Sequence, residues 1–333
     1  MKKLLLAVYE EIFTKPARKN SVSGPHVLTP EHVKKIRAVS KELEIIVTAH
    51  KKDAQKNSAD AEIIAGFPST IPPLSEAKNL KWVHSFSAGM DRVLTSELVK
   101  SSVICSNSSG IHQTPIAEHV IAFLLIFTRG FLKTLSNQQK RLWRKDDTVT
   151  ELCGKTVLIV GLGNIGGEVA RLVHAFGAKV IAVSRSQKEQ IEEIYEMKKP
   201  SALDAVLPRA DFIVNCLPYT NETYHLFDLT RFQRMKRSAV FINIARGGIV
   251  HEKDLIVALK KKIIAGAGLD VTEIEPLPKA SPLWCMPNVI ITPHHSGLSE
   301  QYMNRAIDRF CLNLKAYLAG ERLPNLVDKK RGY

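Results

Sequence analysis

Arg246, Glu275 and His294 are the side chains of this sequence best suited to chemistry, because each lies just past a short apolar run. The segments are Ala245-Arg246-Gly247-Gly248, Asp270-Val271-Thr272-Glu273-Ile274-Glu275-Pro276 and Thr292-Pro293-His294-His295, and a fourth, Leu217-Pro218-Tyr219-Thr220-Asn221-Glu222-Thr223, has the same placement. If the runs are strands of an open α/β sheet, all four loops open at the C-terminal ends of the strands, the rim where such sheets bind ligands. A guanidinium there can grip a carboxylate and polarise a neighbouring carbonyl. An imidazole can donate a proton near working pH, and a carboxylate beside it holds the ring and favours its charged form. Together they suit hydride transfer to a carbonyl. Taken singly, each is as readily a structural or solvated loop residue, and the residues alone leave both readings open.

The element that would position them begins at Thr156. Residues 156–185 read TVLIVGLGNIGGEVARLVHAFGAKVIAVSR: a β-branched run, the turn Gly161-x-Gly163-x-x-Gly166 with Asn164 and Ile165 inside it, a helical pattern, and a second apolar run ending at Ser184 and Arg185. Framed by strand and helix, this is a dinucleotide-binding βαβ signature. Gly161 permits the turn, Gly163 lets backbone approach a pyrophosphate, and Gly166 lets helix pack on strand, with the anion held at the helix N-terminus. A carboxylate at the end of the second strand would bind the adenosine ribose and repel a 2′-phosphate, by roughly 4 kcal/mol at about 4 Å and an effective dielectric of about 20. Here Ser184 stands in that place, followed by Arg185, Ser186 and Lys188. Hydroxyls and cations there favour NADP(H), with NAD(H) also accommodated.

The rest of the chain fits two α/β domains. Its 333 residues suffice for two cores. Predicted strands at Lys3–Val8, Ile45–Thr48, Ile63–Ala65, Trp82–His84 and Val103–Cys105 alternate with helical segments such as Thr29–Val39, which opens on Thr29-Pro30-Glu31. A second series has strands at Thr156–Val160, Val180–Val183, Phe212–Asn215, Val240–Asn243, Ala265–Leu269 and Val289–Ile291, and a closing helix over Ser299–Leu318. Such βα repetition implies parallel sheets. Between the series, Thr114–Phe131 reads as one long helix, apolar nearly all round, hence buried between domains or between subunits.

Several classes are excluded by the same numbers. The opening KKLLLAVYEE has too short an apolar run for a signal peptide and reads as a first strand, and Val120–Phe127 is too short to span a bilayer. Five scattered cysteines with no CxxC argue against a disulfide frame or a zinc site and suit a cytoplasmic setting. The net charge of +14 is spread along the chain without a nucleic-acid-binding motif. It reads as a solvated basic surface that could steer anions inward.

The chain resembles the D-isomer-specific 2-hydroxyacid dehydrogenases over nearly its full length. The matching pieces, in order, are residues 82–91 (WVHSFSAGMD), Ala117-Glu118-His119, the glycine fingerprint, Leu217-Pro218 with Thr223, Asn243-Ile244-Ala245-Arg246-Gly247, Gly268-Leu269-Asp270-Val271, Glu275-Pro276-Leu277-Pro278 and Thr292-Pro293-His294. The resemblance implies two Rossmann-like or flavodoxin-like domains, a dinucleotide domain of 108–298 inserted into a discontinuous substrate domain of 1–107 and 299–333. Hinges would lie near Ser106–Ser109 and Pro293–Ser299. It implies that Arg246 binds the carboxylate and carbonyl of a 2-oxo acid, that His294 protonates the carbonyl oxygen, and that Glu275 pairs with His294. The Ser87-Ala88-Gly89 loop would grip the substrate carboxylate. Asp270 would bond the nicotinamide carboxamide and Ile116 back its ring, with Leu217, Pro218, Thr223, Ala245 and His294 also beside the cofactor. Glu273 and His295 fall off the catalytic positions, and Cys216 reads as strand-end packing.

The resemblance also implies a homodimer packed around the helix from Thr114. A small 2-oxo acid such as glyoxylate, hydroxypyruvate or pyruvate fits the trio, in the reducing direction. A phosphoglycerate enzyme with an added regulatory domain is disfavoured, since nothing follows residue 333. So is a formate dehydrogenase, which needs no such histidine. A non-catalytic NAD(P)-sensing corepressor on the same fold is the alternative.

Overall fold

The computed structural model describes residues 2–8, 26–48, 50–90, 92–185 and 192–330. The chain divides into two compact units, Met1–His112 with Leu298–Tyr333, and Gln113–Gly297 inserted between them.

The first unit is a parallel sheet of β1 (Lys2–Ala7), β2 (Leu43–Thr48), β3 (Ile63–Gly66), β4 (Trp82–Ser85) and β5 (Ile104–Asn107), in the order β2-β1-β3-β4-β5. This is a flavodoxin-like order. The buried runs Leu4–Ala7 and Ile63–Gly66 suit strands covered on both faces. The helix Pro30–Arg37 starts as its sequence predicts, with Thr29 as N-cap, but the reciprocal bond comes from His32, whose Nδ1 accepts from the Thr29 N–H at 3.0 Å. The closing helix runs over Tyr302–Ala319 rather than from Ser299. It buries Met303, Ile307, Phe310 and Leu314 against Trp82 and Phe86, and Gly320 ends it in the left-handed conformation at φ 73°.

The second unit carries β6 (Thr156–Val160), β7 (Lys179–Val183), β8 (Glu196–Lys198), β9 (Phe212–Asn215), β10 (Val240–Asn243), β11 (Gly266–Leu269) and β12 (Val289–Ile291). The order is β12-β11-β10-β9-β6-β7-β8, all pairs parallel. It is a Rossmann order with a further edge strand, and the chain's winding reverses between β6 and β9. The edge strand β8 was not anticipated: Glu196-Met197-Lys198 is short, half-buried and without an apolar run.

Three expectations need adjustment. The helix expected over Thr114–Phe131 is two, Gln113–Thr128 and Phe131–Gln139, bent by 69°. Gly130 breaks it at φ 67°, where a Cβ would come within 3.0 Å of the Asp146 carboxylate. The first of these helices is buried inside the second unit itself, its Ile116, Val120, Phe123 and Leu124 packing with Val157, Ile159, Val169 and Val214. Each fully buried aliphatic side chain contributes roughly 1.5–3 kcal/mol. Finally, Ser106 and Asn107, expected in a hinge, are strand residues of β5. Among the described residues no single helix is long and apolar enough to cross a membrane.

Candidate active site

The glycine turn leaves β6 at the reversal point. Gly161 has φ 103°, and a Cβ there would lie 2.8 Å from the Cys216 carbonyl oxygen at the end of β9. At Gly166 a Cβ would lie 2.0 Å from the Gly161 carbonyl oxygen, so helix and turn touch through that glycine. Gly163 differs: a Cβ there would meet nothing within 4 Å. Its bareness serves no contact within the protein and leaves room for an incoming group. Gly163 is also the N-cap of the helix Asn164–Ala175, with no side-chain cap bond. Asn164 is exposed and Ile165 half-buried beside it. An open glycine shelf before uncapped helical N–H groups fits a pyrophosphate.

At the end of β7, Ser184 is buried and Arg185 exposed, with the Arg185 guanidinium 3.6 Å from the Glu222 carboxylate. Ser186 and Lys188 lie outside the described residues. The neighbouring loop from Leu217 is folded by Thr223, whose hydroxyl donates to the Pro218 carbonyl at 2.7 Å and accepts from the Thr220 N–H at 2.8 Å. Cys216 reaches the surface only in part, and burial pushes its thiol up to about 12. It is therefore no thiolate nucleophile.

Sequence reasoning missed the pair that shapes these loops. The buried Asn215 and Asn243 end adjacent strands, and the Asn215 amide donates to Asn243 Oδ1 at 3.0 Å. The same Oδ1 accepts from the Ala245 N–H at 3.2 Å, Asn243 Nδ2 donates to the Arg246 carbonyl at 3.2 Å, and Leu217 N–H reaches Asn215 Oδ1 at 3.3 Å. The signal was present as an Asn closing each of two neighbouring apolar strands.

Arg246 is half-buried and donates from Nη1 to the Ala245 carbonyl at 2.8 Å. His294 and Glu275 meet: His294 Nδ1 lies 2.8 Å from Glu275 Oε2. With a carboxylate as acceptor Nδ1 carries the hydrogen, which leaves Nε2 as the outward nitrogen. Burial pushes the Glu275 carboxyl up, but the His294 hydrogen bond and charge, the Thr272 N–H and the Arg246 charge outweigh it and hold it below the usual range. His294 sits at φ 51°, with its N–H on the Asp270 carbonyl at 2.8 Å.

Asp270 is buried at the end of β11. Its carboxylate accepts from the Thr292 hydroxyl at 2.6 Å and from the His295 and Ser296 N–H groups. Burial pushes its carboxyl up, but hydrogen bonds from the Ser296 and Thr292 hydroxyls and from the Ser296 and His295 N–H groups pull it below the usual range, so it stays charged. The His295 side chain is exposed, and Ile116 is buried. Glu273 turns away from the trio to His225, at 2.7 Å, and its carboxylate accepts from the Glu252 N–H while its own N–H donates to the Glu252 carboxylate.

In the first unit, Ser87, Ala88 and Gly89 follow β4 and are half-buried. The Asn107 amide donates to the Ala88 carbonyl at 2.8 Å, Ser108 N–H to the Ser87 carbonyl at 3.2 Å, and the Ser87 hydroxyl to the Gly89 carbonyl at 3.1 Å. With those carbonyls engaged, the loop's shape is set from behind. Asp91 lies outside the described residues.

Residues 121–296 match the model of the D-isomer specific 2-hydroxyacid dehydrogenase NAD binding domain. A glyoxylate reductase of Thermofilum pendens is 33% identical over 262 residues, 77% of each chain. The crystal structure of a D-isomer specific 2-hydroxyacid dehydrogenase family protein from Aeromonas salmonicida is similar at TM-score 0.85 and 32% identity, covering 98% of this chain and 99% of that one. An NADPH-dependent glyoxylate/hydroxypyruvate reductase from Sinorhizobium meliloti, solved with NADP and sulfate, is similar at TM-score 0.81 and 29% identity over all of both chains.

Proposed function

This chain belongs to the D-isomer specific 2-hydroxyacid dehydrogenases, and from that premise we propose that it reduces a small 2-oxo acid to the D-2-hydroxy acid, using NADPH in preference to NADH. It is an NAD(P)-dependent oxidoreductase by membership. The observation that carries the finer reading is the His294–Glu275 pair at the strand ends, with the Arg246 charge acting on the same carboxylate.

The Gly161–Gly166 turn would hold the pyrophosphate and Asp270 the carboxamide, with Ile116, Leu217, Pro218, Thr223 and Ala245 lining the rest. The reduced nicotinamide supplies the hydride. Arg246 binds the substrate carboxylate and draws electron density toward the carbonyl oxygen. His294 gives the proton from Nε2 to the oxygen as negative charge develops there, and Glu275 steadies the imidazolium before and the ring orientation after. The imidazolium loses one proton and the reduced cofactor would give up one hydride, so that one C–H and one O–H bond form as the carbonyl π bond is lost.

Ser184 in place of an acid, with Arg185 beyond it, supports NADPH, as do the cofactors of the similar Sinorhizobium meliloti and Xanthobacter autotrophicus structures. Glyoxylate and hydroxypyruvate lead among substrates, because relatives carry those activities in their names. Exposed Phe131, Leu135, Leu142 and Trp143 support a homodimer, and the free cysteines support a cytoplasmic setting. The test is a spectrophotometric screen of glyoxylate, hydroxypyruvate and pyruvate with each cofactor. Turnover with a higher kcat/KM for NADPH is expected. Equal values or an NADH advantage would refute the cofactor reading. Tight NADPH binding without turnover on any acid would refute the reductase reading.

A further inference from the structure

His119, on the helix Gln113–Thr128, was singled out by sequence only as part of Ala117-Glu118-His119, and the mechanism gives it no task. Its side chain is 18% exposed. Its ring meets Phe123 edge to face at 4.5 Å and His295 at 5.5 Å. Its Nε2 lies 3.0 Å from the Thr292 hydroxyl, which lies 2.6 Å from Asp270 Oδ1.

The hydrogens in this chain can be assigned by counting. Thr292 has one hydroxyl hydrogen, and the short contact to a buried carboxylate takes it. Toward His119 the hydroxyl oxygen is therefore an acceptor, so His119 Nε2 carries a hydrogen. Burial first, and His295 after it, lower the His119 pKa against the opposing pull of Asp270, which fits a neutral ring protonated on that nitrogen alone. The run His119 Nε2–H, Thr292 Oγ1–H, Asp270 carboxylate is thus a relay of aligned donors, each polarising the next. At Asp270, Oδ1 takes Thr292 and the N–H groups of His295 and Ser296, at 2.6, 3.1 and 3.3 Å. Among the N–H donors Oδ2 takes Ser296 alone, at 3.1 Å, and the Ser296 hydroxyl also donates to the carboxylate. The carboxylate cannot turn without breaking several bonds, and with three donors on Oδ1 the less loaded oxygen is Oδ2.

The side chains of His119, Asp270 and His295 offer ligand atoms within 4.8 Å of one another, a spacing that also suggests a cation. The hydrogen count speaks for the relay, because the His119 nitrogen nearest the carboxylate already holds a hydrogen and Oδ1 is already filled.

We propose that His119 is a positioning residue for the cofactor: through Thr292 it fixes the Asp270 carboxylate and reserves Oδ2 for the carboxamide N–H of the nicotinamide. The inference rests on the proposed role of Asp270 and deepens it.

The experiment measures dissociation constants for NADPH and for 2′-phospho-ADP-ribose, the same nucleotide without its nicotinamide, on five variants of the full chain. His119→Phe keeps an aromatic ring and loses the donor, while His119→Gln keeps an N–H. Thr292→Val cuts the relay, and the double variant His119→Phe/Thr292→Val tests coupling. Asp270→Asn tests the reading on which the relay depends. His119→Phe and Thr292→Val are each expected to weaken NADPH about tenfold and to leave 2′-phospho-ADP-ribose unchanged. The double variant should lose no more than either single one, and Gln should restore most of the affinity. Equal loss for both nucleotides, no rescue by Gln, or additive losses would overturn the relay and leave His119 a packing residue. If Asp270→Asn shifts the ratio of the two constants and His119→Phe does not, the relay alone fails. If Asp270→Asn leaves that ratio unchanged, the carboxamide assignment fails and the relay falls with it.

Discussion

His294 holds its imidazole on a backbone at φ 51°, a left-handed conformation that costs a side chain with a Cβ about 1–3 kcal/mol. The backbone bond to Asp270 and the side-chain bond to Glu275 keep it there. Asparagine tolerates this conformation better than most residues, so His294→Asn separates chemistry from folding. Its kcat should fall by about 10²–10⁴-fold, while NADPH affinity and Tm stay near those of the native protein; stopped-flow reduction and thermal melts measure both. Arg185 and Glu222 are both exposed, so their pair contributes little to stability, yet a 2′-phosphate would compete with Glu222 for the guanidinium. Arg185→Ala should therefore lower kcat/KM for NADPH about tenfold and leave NADH unchanged, whereas Glu222→Gln should raise it for NADPH; steady-state kinetics with both cofactors decide.

The βαβ unit from β6 through the helix Asn164–Ala175 to β7 uses its glycines for different ends. Gly166 exists for packing, since any Cβ would strike the Gly161 carbonyl. Gly163 has an ordinary negative φ of −92° and open space around it. Gly166→Ala should accordingly lower Tm by several degrees and cost cofactor binding with it. Gly163→Ala should leave Tm close to native and still lose most NADPH affinity, because its methyl fills the space proposed for the pyrophosphate. Melting curves beside fluorescence titrations check the pair, and equal loss of Tm in both would refute the distinction.

Across the molecule, the first unit carries a buried proton chain that makes its stability depend on pH. Trp82 Nε1–H donates to Ser106 Oγ at 2.8 Å, Ser106 lies 2.7 Å from His84 Nδ1, and His84 Nε2 lies 3.2 Å from Ser108, whose hydroxyl donates to the Ser85 carbonyl. Only a neutral imidazole satisfies this chain, and burial lowers the His84 pKa from 6.5 to about 3. The unfolded chain therefore binds one more proton than the folded chain between those values. Stability at this site is full above pH 6.5 and falls by about 1.4 kcal/mol per pH unit as pH drops toward 3. His84→Gln should flatten the fall in Tm between neutral pH and pH 5 by about one proton's worth. An unchanged slope in calorimetric melts would contradict the buried neutral assignment. Ser108 and Asn107 also hold the Ser87–Gly89 loop, so the same chain braces the turn after β4.

The sequence by itself determined the elements and the cofactor class, because these rest on local rules. Apolar β-branched runs, a glycine turn between strand and helix, and Thr29-Pro30 at a helix start are read from neighbours in the chain, and nine of the eleven predicted strands lie within one residue of where they stand. The other two run further by two residues each: the strand predicted at Ile45–Thr48 begins at Leu43, and that at Val103–Cys105 ends at Asn107. Local rules failed where a long-range neighbour decided: β8 exists because β7 offers it an edge, and the long helix breaks where Gly130 meets Asp146. At the site, strand-end placement made Arg246, Glu275 and His294 legible as residues. Their arrangement was not, since the His294–Glu275 bond, the Asn215–Asn243 pair and the His119–Thr292–Asp270 relay join residues 19, 28 and up to 173 positions apart. Hydrogen bonds depend on distance and direction within tenths of an ångström, and only the folded packing of strands and helix brings those partners to one place.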